Sequence, residues 1–127
     1  MKDLQNKTIE LIQLPKIRDE RGCLSFFESE NHIPFEIKGV NLLNIYDTDE
    51  QYEFTDNKNT NFFFVALSGS FLFGNGSSDD FIDGVFLENA NKGMYIAKNT
   101  DFTLLRFAEN TAVLIISSTE EFNVRKI

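Results

Sequence analysis

Apolar residues recur in short clusters along this chain, and the polar stretches between them are rich in turn-forming residues. Ile9 to Leu14 alternates partly and stops at Pro15, and Cys23 to Glu28 follows the turn-prone Asp19-Glu20-Arg21-Gly22. Ile37 to Tyr46 is longer and carries Val40, Leu42, Leu43 and Ile45. Asn61 to Leu67 is solidly apolar, as expected of a strand covered on both faces. Ser68-Gly69-Ser70 turns or bulges into Phe71-Leu72-Phe73, and Gly74 to Asp80 reads as a hairpin loop. Phe81 to Leu87, Gly93 to Ala97, Phe102 to Phe107 and Ala112 to Ser117 complete the series. No stretch has a helical period with caps, although Asn31 to Glu36 has room for one turn, limited by Pro34. About nine short strands at roughly 8–12-residue spacing predict an all-β antiparallel sandwich or barrel. Glu120 to Ile127 reads as a tail, ordered only if it docks.

A length of 127 residues predicts one domain, 1–127, with a core over 8–118 and a tail over 119–127. Composition sharpens the picture at one point: there are 14 Phe against 3 Tyr and no Trp. Phe carries large buried area and no polar handle, so these rings are expected to fill a core. The net charge of −8, with no basic cluster, argues against nucleic acid or an anionic membrane as partner. Cys23, the single cysteine, has no internal disulfide partner and reads as a buried thiol in an apolar strand. A reducing cytoplasm is therefore the expected compartment. Met1 to Lys7 has no apolar signal core, and no run reaches membrane-spanning length.

Five segments in order resemble the sugar 3,4-ketoisomerase family of small cupins, the WxcM-like group. They are Ile12-Gln13-Leu14-Pro15-Lys16-Ile17, Asp19-Glu20-Arg21-Gly22-Cys23-Leu24-Ser25-Phe26, His32-Ile33-Pro34-Phe35-Glu36-Ile37-Lys38, Ala66-Leu67-Ser68-Gly69-Ser70-Phe71 and Gly93-Met94-Tyr95-Ile96. The resemblance implies a cupin jelly-roll barrel, usually a dimer with exchanged N-terminal strands. It also implies conversion of a dTDP-4-keto-6-deoxy-glucose to its 3-keto isomer, and a link to surface-polysaccharide sugars.

The departures from that family fall together. It carries Arg-Gly-x-His-x-His-Lys-x-x-x-Gln ahead of the Ala-Leu-Ser-Gly-Ser segment. Counting back without gaps, Tyr52 stands at the arginine, Thr55 and Asn57 at the histidines, Lys58 at the lysine and Phe62 at the glutamine. The family's tyrosine pair becomes Asn41-Leu42 and the arginine before it Gly39, and Trp-[Arg/His]-Glu becomes Asp101-Phe102-Thr103. Moving a ketone between neighbouring carbons needs a base and an acid. Histidine suits both roles because its unperturbed pKa is about 6.5. Asn57 does not titrate, and Thr55 is too weak a base without an activating partner.

No catalytic residue is therefore assigned. Glu53, Asp56 and Asp101 are weak substitutes, with Glu50 and the phenols of Tyr46, Tyr52 and Tyr95 nearby. Alternation sets Tyr52 and Phe54 on one face and Glu53 on the other, so an inward apolar pair puts Glu53 in water. Arg21, Tyr95, Lys58 and Arg106 are the candidate ligand-binding residues, with Lys38 weaker; for Arg21 a surface turn pairing with Asp19 or Glu20 is the alternative. His32 reads as a loop residue held by hydrogen bonds, and one histidine supplies no metal site. Asp79, Asp80 and Asp83 read as a solvated hairpin rather than a cation loop. No cofactor or metal is expected.

Three functions stay open. The first is a catalytically inactive relative that binds a dTDP-sugar, or that works as a homodimer or as a partner of an active paralogue. The second is an isomerase using carboxylate or tyrosine chemistry. The third is an interaction module with a filled barrel. The interior decides between them. A cavity lined by Arg21, Tyr95 and an inward Glu53 or Asp101 supports catalysis. A core of Phe54, Phe62 and Phe102 removes both catalysis and ligand binding.

Overall fold

The computed structural model describes residues 9–14, 16–19, 22–25, 33–75, 81–88 and 92–127. Every regular element among the described residues is a strand: β1 (Ile9–Gln13), β2 (Lys16–Asp19), β3 (Gly22–Ser25), β4 (Gly39–Asn44), β5 (Tyr52–Phe54) and β6 (Phe62–Ser68). These are followed by β7 (Phe71–Asn75), β8 (Phe81–Leu87), β9 (Lys92–Ile96), β10 (Phe102–Leu105), β11 (Ala112–Ser117) and β12 (Arg125–Lys126). One antiparallel sheet runs β1-β9-β6-β11-β4, a second runs β12-β5-β10-β7-β8, and β2-β3 form a hairpin. The all-β reading holds, and the architecture is cupin-like. Asn31 to Glu36 is not helical over its described part, where Phe35 N–H closes a tight turn on the Ile33 carbonyl at 2.8 Å. No helix among the described residues is long and apolar enough to cross a membrane.

Strand alternation sorts the apolar residues into two layers. Phe62, Phe64 and Ala66 of β6, Met94 and Ile96 of β9, and Val113 and Ile115 of β11 face inward. They meet Phe54, Phe71, Phe73, Phe102 and Leu104 from the opposite sheet. The intervening residues Phe63, Val65 and Ile116 face outward and pack under Ile33 and Phe35. Chain 33–37 is therefore a cover on the outer face, which explains why Asn61 to Leu67 has no polar side.

Contacts require glycine at Gly39, where a Cβ would meet the Thr119 carbonyl, and at two further described positions. A Cβ on Gly93 would stand 1.9 Å from the Phe63 ring, so the bare backbone of β9 is the floor on which that ring lies. Gly69, at φ +73°, makes the β6–β7 turn, where a Cβ would meet the Thr111 hydroxyl at 2.1 Å. That hydroxyl donates to the Ala108 carbonyl at 2.7 Å.

Candidate functional site

Residues 52–61 form β5 and the loop 55–61 that leads into β6. Phe54 is wholly buried between the sheets, and Tyr52 packs against the same core. The Phe54 ring stacks on Phe102 at 4.7 Å and meets Phe62 and Phe64 edge-on at 5.3 and 5.5 Å. Phe102 in turn meets Phe62 at 5.6 Å and Phe64 at 5.4 Å. Each of these rings is at most 1% exposed. Close-packed rings leave no room for a sugar among them.

Past Phe54 the chain turns through Asp56 at φ +59°, a conformation that Asp tolerates better than most residues. This buries the amide of Asn57, which is 5% exposed. Its Nδ2 donates to the Asn123 carbonyl at 2.9 Å, and its Oδ1 accepts the Asn123 N–H at 2.7 Å. The two backbone partners fix which end is oxygen. The Asn57 carbonyl accepts the Asn99 N–H at 2.9 Å. Thr55 is half-buried. Asn57 thus holds the C-terminal segment in place, which a side chain presenting both a donor and an acceptor does well.

That segment docks along the candidate site. Phe122 stacks over Phe54 at 5.9 Å and abuts Phe62 at 5.0 Å. β12 pairs with β5, placing Arg125 opposite Glu53 and Lys126 opposite Tyr52. Arg125 pairs with the Glu53 carboxylate, and Lys126 lies 3.9 Å from Glu50. Glu53 does face away from the core, as alternation requires. It is 8% exposed rather than solvated, because the docked strand covers it.

Tyr52 donates its hydroxyl to Glu50 at 2.6 Å. Burial, with the hydrogen bond to the Glu50 carboxylate second, pushes the Tyr52 phenol up to about 12. The same bond, chiefly, holds the Glu50 carboxyl below its usual value.

The candidate ligand-binding residues do not gather. Tyr95 lies on the outer face of its sheet beside Phe35, and its hydroxyl donates to Asn61 Oδ1 at 3.1 Å. Burial raises its phenol above the ordinary value. Lys58 sits on the 55–61 loop, beside Asp56, whose N–H is accepted by Asp101 at 3.3 Å. Arg106 lies past the opposite end of β10, exposed and at φ +58°. Asp56 and Asp101 are exposed at the loop end, so neither points into the core. Arg21, His32, Asp79 and Asp80 lie outside the described residues, and Cys23 and Asp83 lie on strands described by their backbone.

An open depression of about 520 Å³ lies beside Asn57, lined by residues 56–60, Thr119 and 121–123. Among its lining residues Lys58 is outweighed by Asp56 and Glu121, a poor charge balance for a pyrophosphate. Phe122 and Asn123 are the site residues that sequence reasoning missed. The signal available was an aromatic residue inside an otherwise polar tail.

The profile of the WxcM-like, C-terminal family matches residues 7–125. Among solved structures, the chain is similar to the TDP-quinovose 3,4-ketoisomerase WlaRB of Campylobacter jejuni. That match has 26% identity and a TM-score of 0.73, over 91% of this chain and 88% of that one. It is also similar to a mutant of the 3,4-ketoisomerase QdtA of Thermoanaerobacterium thermosaccharolyticum in which a histidine is replaced by asparagine, in complex with TDP-4-keto-6-deoxyglucose. There the identity is 25% and the TM-score 0.75, over 91% and 83% of the two chains. The epimerase RmlC of Legionella pneumophila shares the fold at 13% identity and a TM-score of 0.74, over 94% and 72%. No curated protein sequence matches the chain. The chain belongs to the WxcM-like, C-terminal family.

Proposed function

We propose that this member of the WxcM-like family is a non-catalytic relative of the dTDP-sugar 3,4-ketoisomerases that works through its surface, as a subunit pairing with itself or with an active relative. One observation carries the reading: Phe54, Phe62, Phe64 and Phe102 occupy the space between the sheets at 0–1% exposure. The chemistry agrees. Asn57 holds no transferable proton near neutral pH, and both ends of its amide are engaged by Asn123. Replacing a general base removes a factor of about 10² to 10⁴ by itself. The substitutes are badly placed: Glu53 is paired with Arg125 on the far side of β5, and Asp56 and Asp101 are at the exposed loop end.

Binding a sugar nucleotide without turnover is the second reading. In its favour, the QdtA relative with histidine replaced by asparagine is in complex with TDP-4-keto-6-deoxyglucose. The depression beside Asn57 is where such a ligand would lodge. Isothermal titration with dTDP and a dTDP-sugar separates the two. The filled-barrel reading expects no saturable heat. Saturable binding would replace it with the second reading.

A further inference from the structure

Segment 119–127 covers other residues while burying little of itself. None of its residues is buried, and only Thr119 and Phe122 are half-buried. Beneath or beside it Glu50, Glu53, Asn57 and Thr60 are 5–8% exposed, and Phe54 and Phe62 at most 1%. Elements with few buried apolar contacts of their own open at lower free energy than the core they lie on. The segment is therefore held as a docked peptide is held, and not as a strand of the core.

What it lies on has the parts of a peptide site. The β5 edge supplies main-chain pairing: β12 runs antiparallel to it, and the Ile127 N–H donates to the Gln51 carbonyl at 2.9 Å. Asn57 binds the main chain of Asn123 through both ends of its amide. Phe54 and Phe62 form the floor under the Phe122 ring. Glu53 and Glu50 receive the cations of Arg125 and Lys126. In such an arrangement backbone pairing supplies affinity, and the side-chain contacts supply specificity.

We infer that the β5 edge is a docking site for an extended segment of another protein, one with an aromatic residue three positions ahead of a basic pair, and that residues 119–127 are its resident, displaceable occupant. The inference deepens the reading of a protein that works through its surface and rests on it. Two carboxylates on a chain of net charge −8 favour a basic segment over an acidic one. The Arg125 guanidinium is 74% exposed, so its ion pair holds the resident weakly. Tethering holds it more firmly, because a short link gives an effective concentration of about millimolar order.

Fluorescence anisotropy tests this with the full chain and a labelled peptide, Thr-Glu-Glu-Phe-Asn-Val-Arg-Lys-Ile, the sequence of 119–127. Arg125→Glu combined with Lys126→Glu sets like charges against Glu53 and Glu50 and should loosen the resident. The peptide should bind this double variant about tenfold more tightly than the wild type. The same peptide with alanine for its phenylalanine should lose that gain. Equal binding to both proteins, binding to neither, or an alanine peptide that binds as well overturns the inference. If the double variant misfolds, amide exchange of the wild type decides: unlabelled peptide at about millimolar concentration should speed exchange of the Asn123 and Ile127 amides and leave β6 and β11 unchanged. Exchange at Asn123 and Ile127 that ignores the peptide overturns the inference too. Turnover is read separately: an inactive protein that captures no peptide ends the docking site alone, and an active protein that captures it ends the non-catalytic reading alone.

Discussion

At Asn57 the side-chain amide donates to one backbone group of Asn123 and accepts from another of the same residue. Removing a buried partner leaves the other group unsatisfied, at a cost of about 1–3 kcal/mol. Asn57→Ala should therefore lower stability by that amount in urea unfolding, and Asn57→His should destabilise too without conferring turnover. Phe54→Ala should cost more, about 3–5 kcal/mol, because it opens a cavity among rings that pack on one another.

Tyr52 and Glu50 give a pH signature. A phenol raised to about 12 in the fold contributes stability that is fully present below its unfolded value near 10. That contribution is lost as pH rises from about 10 through 12. The depressed Glu50 carboxyl works in the other direction: its contribution is present above the ordinary carboxylate value and lost as pH falls through the lowered one. Urea midpoints should thus fall less steeply in alkali for Tyr52→Phe than for the wild type. Equal alkaline slopes would contradict the assignment.

Among the elements, β12 and the chain leading to it decide whether the site is open. Phe122 is half-buried on Phe54 and Phe62, so Phe122→Ala should cost roughly 1–2 kcal/mol in the same unfolding measurement. Arg125→Ala should cost under about 1 kcal/mol, since the guanidinium is 74% exposed and its ion pair is solvent-screened. The strands with continuous or alternating apolar residues were legible in the sequence because burial imposes that pattern: β6, β7, β9, β10 and β11 fall where the clusters lie. β2, β5 and β12 escaped. They are two to four residues long, and β5 and β12 hold each other through backbone pairing that leaves no period to read. The burial of Glu53 escaped for the same reason: alternation fixed its face, but the strand covering that face comes from 72 residues away.

For the whole molecule, the family was readable because the framing segments survive, and the profile match over 7–125 agrees with it. The candidate site was only half legible. That Thr55 and Asn57 do not titrate as histidine does can be read from the sequence, but the packing of their neighbours cannot. Only the structure shows that Phe54, Phe62 and Phe102 point at one another, and that Tyr95, Lys58 and Arg106 are dispersed over a face and two ends.

A barrel whose interior is filled by Phe54, Phe62, Phe64 and Phe102 has no room to turn over a sugar nucleotide. Incubating the purified protein with dTDP-4-keto-6-deoxy-glucose, and following the sugar by proton NMR, tests it most directly. With a filled interior, the 4-keto spectrum should change no faster than in a protein-free control. Growth of the 3-keto isomer in proportion to protein, abolished by Glu53→Gln or Asp101→Asn, would contradict it.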